Sequence, residues 1–298
     1  MPRIWKHRAV YLVLLPALVW YVIFMYLPMG GLSLAFKEYK GNLGIWGSPW
    51  IGLENFRRLF QDPDFFNAVW RTIRINLLRL FVSFPVPIIL ALLLNELRIV
   101  RYRRILQTVF TFPHFLSWIV IAGLMQNLLA YDGVVNGIIA ALGGTPISFI
   151  GSRQLFIPTL FLTDIWKEAG WGSIIYLAAI SGIDQDLYES AEIDGASRMD
   201  KMLRITIPSI MPTISIMFIL AMGGIMSVGF DQIFNMTNAA VRETGEILDM
   251  YIYRITFQST PDFGLSMAVS LFRSFVNMGL LFIAHKGSKL MGGYGLFN

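Results

Sequence analysis

Residues 188–208 read YESAEIDGASRMDKMLRITIP, a charged segment holding Glu189, Glu192, Asp194, Asp200, Arg198, Lys201 and Arg204. The runs on either side, 153–182 and 208–230, are largely apolar, and each can cross a bilayer, which takes about 20 residues of helix. A polar segment between two such runs is a loop that returns the chain to the membrane. The rest of the 298-residue chain agrees: 55% of its residues are hydrophobic, only 14% are charged, and the mean hydropathy is +0.60. A soluble domain carries about 25% charged residues. The sequence therefore describes an all-α integral membrane protein.

Six spans fit the hydropathy, at about 9–36, 67–96, 103–130, 153–182, 208–230 and 264–285. The first, second and fourth exceed the minimum length, so tilts, kinks or interfacial turns are expected. Pro16, Pro28, Pro85, Pro87, Pro113 and Pro158 fall inside spans, where a bundle can re-satisfy freed backbone groups. The first apolar run is too long for a cleaved signal peptide, so it is expected to be retained. Basic residues gather at the N-terminus (Arg3, Lys6, Arg8), at RIVRYRR (98–104), in the 183–207 loop and at Lys286 and Lys289. This predicts that all four, and so both termini, are cytoplasmic. On the other side, IGLENFRRLFQDPDFFNAVW (51–70) sets Phe56, Leu59 and Phe60 at helical spacing, as in a helix lying along the membrane surface. YDGVVNGIIAALGGTPISFI (131–150) predicts a second short helix, ended by Gly143-Gly144. One transmembrane domain, 1–298, is expected, with a bundle over about 67–285.

Several functions are excluded. The chain has no cysteine, so disulfides, thiolate metal sites and cysteine nucleophiles are absent. His7, His114 and His285 are scattered without metal-ligand spacing. No Gly-rich Walker loop or GxSxG elbow occurs. The net charge of +5 forms no single patch, which argues against nucleic acid.

Locally, 183–207 predicts two short helices meeting at a turn. Asp184 can cap the first, and Gly195 can end it in the left-handed conformation. Pro208 then opens the next span. A solvated loop whose charges only set topology would leave Tyr188, Met202 and Leu203 exposed, and these apolar residues call for a partner surface.

Glu189-Ser190-Ala191, three residues, Gly195, nine residues, Ile205, one residue and Ile207-Pro208 resemble the EAA loop of membrane subunits of binding-protein-dependent ABC importers. Ser190 stands where the family has Ala and Ile207 where it has Leu, and DGAS at 194–197 strengthens the likeness. The segments around 51–73 and 164–197 resemble carbohydrate-importing permeases, while FDQIFNMTN and the tail MGGYGLF resemble the branch that takes up oligosaccharides from complex, including uronate-bearing, polysaccharides. The resemblance implies an ABC type I importer permease fold of about six transmembrane helices in the bacterial cytoplasmic membrane. It implies as partners a second, homologous permease (a different chain), two ATPase subunits, an extracytoplasmic substrate-binding protein and membrane lipid. ATP and Mg would be held by the ATPases, with no cofactor, metal or catalytic residue in this chain. It further implies that Tyr188, Glu189, Ser190, Ala191, Asp194, Gly195, Ala196, Met202, Leu203, Ile205 and Pro208 form the ATPase-coupling element.

Charged residues inside spans are costly and mark a pathway by default. Arg79 lies in the second span, Asp164, Lys167 and Glu168 in the fourth, and Arg273 with Asn277 in the sixth. The spacing allows Asp164, Lys167 and Glu168 to share one helix face, near Trp171 and Tyr176. These residues could instead pair with one another and hold helices together. As a pathway they would suit sugar, with arginines (Arg71, Arg74, Arg79, Arg273) available for carboxylates. Arg71 and Arg74 could equally be interfacial anchors. Met217, Met222 and Met226 beside Gly223-Gly224 point to helix packing. Two other classes compete: an ion-coupled secondary sugar transporter using Asp164 and Glu168, and a membrane-embedded glycosyl-group transferase. Neither explains residues 188–208.

Overall fold

The computed structural model describes residues 8–258 and 260–290, with side chains through residue 287. Arg3, Lys6, the Lys289 side chain and the tail MGGYGLF lie outside the described residues. The chain is helical; the β pairing among the described residues is an isolated bridge, Lys37 to Trp50. Helix α1 (Arg8–Tyr21) passes through a π turn (Val22–Tyr26) into a 3-10 segment (Leu27–Phe36). Then come α2 (Glu54–Gln61), α3 (Pro63–Val82), α4 (Pro85–Asn95), α5 (Val100–Thr111), α6 (Trp118–Leu129), α7 (Val134–Ala141) and α8 (Phe156–Ser181). The second half holds α9 (Gln185–Ile193), α10 (Arg198–Lys201), α11 (Ile207–Gly223), α12 (Phe230–Met236), α13 (Leu248–Tyr253) and α14 (Phe263–Leu290).

Five stretches among the described residues are long and apolar enough to cross a membrane: Arg8–Phe36, Pro63–Asn95, Trp118–Ala141, Arg198–Gly223 and Phe263–Gly287. The remaining expected span is α8, whose 26 residues extend about 39 Å at 1.5 Å per residue. Asp164, Lys167 and Glu168 near its middle make α8 less apolar than the other five. The expected span 103–130 is not one helix. Pro113 sits in a 3-10 turn, Phe112–Phe115, that separates α5 from α6. A proline ring cannot follow a helix carbonyl without displacing it, which accounts for the break.

The chain forms two compact units. One takes the residues up to Phe66 with Ile252–Ser274. There α2 buries Leu59 and Asn55, and the Asn55 amide nitrogen donates to the carbonyls of Leu34, Ala35 and Lys37 at 3.0–3.4 Å. That amide closes the end of the first span, a role not visible in the local sequence. The predicted surface helix is α2, with Phe60 still exposed. Helix α1 buries none of its residues and offers an apolar surface to lipid or another chain.

The other unit, Asn67–Tyr251 with the residues from Phe275, is organised on α8. Phe156, Leu160 and Phe161 at its start pack with Ile75, Ala122, Ile233, Met236 and Ile247. Tyr176, Leu177 and Ile180 at its end pack with Ala91, Leu92, Leu94 and Ile210. Between these two cores lie the three charges. Gly170 sits there because a Cβ would collide with the backbone carbonyl of Phe110 on α5. Helix α7 is the short helix expected after residue 131, and Gly143 and Gly144 end it with amides returned to Ala140 and Ile139. Met226 is buried, and Leu281 fills the space beside Gly223, as the packing reading expects.

Candidate functional site: a helical brace and a polar belt

The brace spans residues 184–206. Asp184 caps α9 by accepting from the Asp186 amide at 3.1 Å. At the other end Gly195 has φ +76°, so the Ala196 amide reaches the Ala191 carbonyl (2.9 Å) and the Gly195 amide reaches Glu192 (3.1 Å). This pair of bonds closes the last helical turn, and it fixes why Ala191 and Gly195 stand four apart. Ser197 opens α10 with reciprocal bonds: its hydroxyl accepts from the Asp200 amide, and the Asp200 carboxylate accepts from the Ser197 amide, both at 3.2 Å. The S-x-x-D spacing was the signal for this box.

Two contacts tie the limbs together. Lys201 Nζ meets Glu192 at 3.1 Å, and the Tyr188 hydroxyl meets Thr206 Oγ1 at 2.9 Å. The second limb is not a separate helix ended before Pro208, as the sequence suggests, but runs unbroken from Arg198 to Gly223. A π turn over Met202–Thr206 makes this possible, with the Ile207 amide donating to Met202. The wider ring relieves the clash between the Pro208 ring and the carbonyl four residues back. The same device precedes Pro28, where Leu27 donates to Val22.

Of the apolar residues the sequence singled out, Leu203 alone is left uncovered. Tyr188 is half-buried and Met202 packs on the core around Ile210, so both serve the subunit's own packing. Ile193, at 88% exposure, Leu187, Met199 and Leu203 are the exposed ones. Met199 and Leu203 share a helix face four apart. Glu189, Ser190, Asp194 and Pro208 are exposed, and Ala191, Ala196 and Ile205 are half-buried.

The polar belt lies at the middle of α8. Asp164, Lys167 and Glu168 do not act together as one face. Asp164 faces Arg79 of α3, with 3.7 Å between Oδ2 and Nε. The Arg79 terminal nitrogen donates to Gln232 Oε1 at 2.6 Å, and Gln232 in turn donates to Leu160 O and Thr163 Oγ1. Arg79 and Asp164, with Asn76 and Ser83, border a cavity of about 230 Å³. Lys167 turns away and donates to the His114 carbonyl at 2.6 Å, while meeting Glu168 at 3.2 Å. Glu168 also binds His114 Nδ1 at 2.8 Å, and the His114 ring stacks on Trp171 at 4.4 Å. Gln232 and His114 join the belt from 69 and 54 residues away, so no local pattern pointed to them.

Two of the residues expected in the pathway make contacts within the protein. Tyr176 is 3% exposed inside the second core. Asn277 uses its side chain to hold the end of α11, accepting from the Met226 amide (3.0 Å) and donating to Ser227 Oγ (2.9 Å). Arg273, half-buried on α14, belongs to the other unit.

Residues 83–229, which contain the brace and the three charged residues of α8, match the family described as binding-protein-dependent transport system inner membrane component. The chain is 40% identical over 293 residues to the polygalacturonan/rhamnogalacturonan transport system permease protein YteP of Bacillus subtilis (strain 168), covering 98% of this chain and 91% of that one. It is also 40% identical over 298 residues to the protein LplB of that organism, covering 100% and 93%. A crystal structure of a bacterial ABC transporter involved in the import of the acidic polysaccharide alginate superposes with a TM-score of 0.89 at 37% identity, over 97% of this chain and 98% of the other. A second, of a bacterial alginate ABC transporter in complex with alginate pentasaccharide-bound periplasmic protein, gives 0.90 at 36% identity over 99% of each. The expected importer-permease fold is thus borne out, and the chain belongs to the family of binding-protein-dependent ABC transport permeases of the inner membrane.

Proposed function

We propose that this chain is a transmembrane subunit of an ATP-driven importer of oligosaccharides, among them uronate-bearing fragments of polysaccharides. It would form half of the translocation pathway beside a second permease. The relatives named for polygalacturonan and alginate transport support the acidic substrate class. The sequence has no phosphate-binding loop, so ATP and Mg belong to a separate cytoplasmic ATPase.

The observation that carries this reading is the brace. It is closed by backbone bonds at Gly195, capped at Ser197 and continuous with a span, and it exposes Leu187, Ile193, Met199 and Leu203. An uncovered apolar set on a rigid lever is what a docking element needs. Closure of the ATPases on ATP would move the lever and, through α11, the spans. The pathway would then alternate between outward and inward access, provided each ligand favours one state. Sugar rings would stack on exposed aromatic faces such as Trp171 and Phe115.

The test is co-purification with the ATPase. Ile193→Asp with Leu203→Asp should weaken ATPase capture at least about 30-fold, as loss of contacts worth about 2 kcal/mol would. The inserted chain should keep its melting temperature. Undiminished capture and normal substrate-stimulated ATP hydrolysis would sink the docking role.

A further inference from the structure

At the end of α8 remote from the brace, an open groove of about 650 Å³ runs between α3 and the start of α8. That volume is in the range of ordinary small-molecule sites. Its rim carries Arg71, Arg74 and Arg153, together with Gln154 and the single acid Glu243. Arg153 meets Glu243 at 3.1 Å, but both side chains are well exposed (65% and 70%), so the pair is weak and easily exchanged. Arg71 and Arg74 have no carboxylate within ion-pair distance among the described residues.

The same helix therefore carries two kinds of arginine. Arg79 is buried, and its charge is answered by Asp164 and Gln232 within the protein. Arg71 and Arg74, three apart on one face, line the groove, and neither is in an ion pair among the described residues. Arginines that merely anchor a helix by reaching for lipid would face outward, with no third guanidinium converging from another element. Arg153 adds a third arginine to the lining of the same groove, its guanidinium held by exposed contacts to Glu243 (3.1 Å) and the Ala240 carbonyl (3.4 Å).

We propose that the Arg71, Arg74 and Arg153 groove is a carboxylate-reading subsite for an acidic oligosaccharide approaching the polar belt. This rests on the transport reading above and adds the residues that make the pathway prefer acid. Guanidinium forks match carboxylates in two-point hydrogen bonds, and a uronate chain offers one carboxylate on each ring.

The test uses the complete importer, with its partner permease, ATPases and binding protein, in proteoliposomes. Uptake of trigalacturonate and of an alginate trisaccharide is compared with uptake of the methyl ester of each. Arg71→Gln with Arg74→Gln should lower the acid-to-ester uptake ratio at least about tenfold, since each charged hydrogen bond is worth about 1.5–3 kcal/mol. The same binding protein serves both forms, so the change in ratio belongs to this chain. The double lysine variant should recover part of the ratio by keeping charge without the fork. An unchanged ratio overturns the subsite, whether the rates hold or fall together; a joint fall with less inserted chain marks Arg71 and Arg74 as lipid anchors. Failure of the unmodified importer to take up any of these sugars would bring down the transport reading and the groove together. Robust acid uptake that ignores Arg71 and Arg74 would remove the groove alone.

Discussion

The brace and the belt both hold charged side chains in an apolar chain, and they spend them differently. In the brace, Ser197 meets Asp200 three residues away, Lys201 meets Glu192 nine away and Tyr188 meets Thr206 eighteen away. Most of these groups are wet, so each bond is worth little alone and the backbone closure at Gly195 does most of the shaping. In the belt, Arg79 reaches Gln232 across 153 residues and Lys167 reaches His114 across 53, both largely buried. A partner lost there leaves a charge stranded in a dry place. The brace can be trimmed; the belt fails when broken.

The largest test of that contrast is Gly170→Val, where the side chain would overlap the Phe110 carbonyl and force α5 from α8. The expected result is little or no folded protein, read as the yield of monodisperse chain after extraction. A normal yield would mean that the two helices are not held this close. Next comes Arg79→Met, which strands Asp164 and should cost about 3–5 kcal/mol, seen as a large drop in melting temperature. Adding Asp164→Leu should recover most of it. If the double variant melts no higher than the single, the two groups are not a pair. The smallest effect belongs to the brace: Ser197→Ala should cost about 1 kcal/mol, confined to the loop. Faster hydrogen exchange at Asp200 with an unchanged melting temperature is the expected signature. A global loss of stability would erase the distinction between the two regions.

The contrast also sorts what was legible beforehand. The long apolar helices, the cap at Asp184 and the helix end at Gly195 depend on residues close in sequence, and composition and spacing report them. The belt does not work that way. Apolar cost announces that Arg79, Asp164, Lys167 and Glu168 need partners, but periodicity gives a face and not the neighbour on it. Hence Asp164 and Lys167, three apart, turned out to serve different helices. Tyr176 and Asn277 show the same limit, because an aromatic or an amide in a span looks the same in sequence whether it lines a path or fills a joint. In the brace, Met202 and Leu203 are adjacent, and only the packing around Ile210 decides which is covered.

The π turn at Met202–Thr206 has one more consequence. It puts an extra residue into a helix that is otherwise in continuous register from Arg198 to Gly223. At 3.6 residues per turn that residue is an offset of about 100° between Met199 on one side and Ile210 on the other. The direction in which the loop presents Met199 and the direction in which the span faces its core are therefore set against each other by a single turn. Proline at 208 fixes that angle, much as a keyway fixes a crank on its shaft.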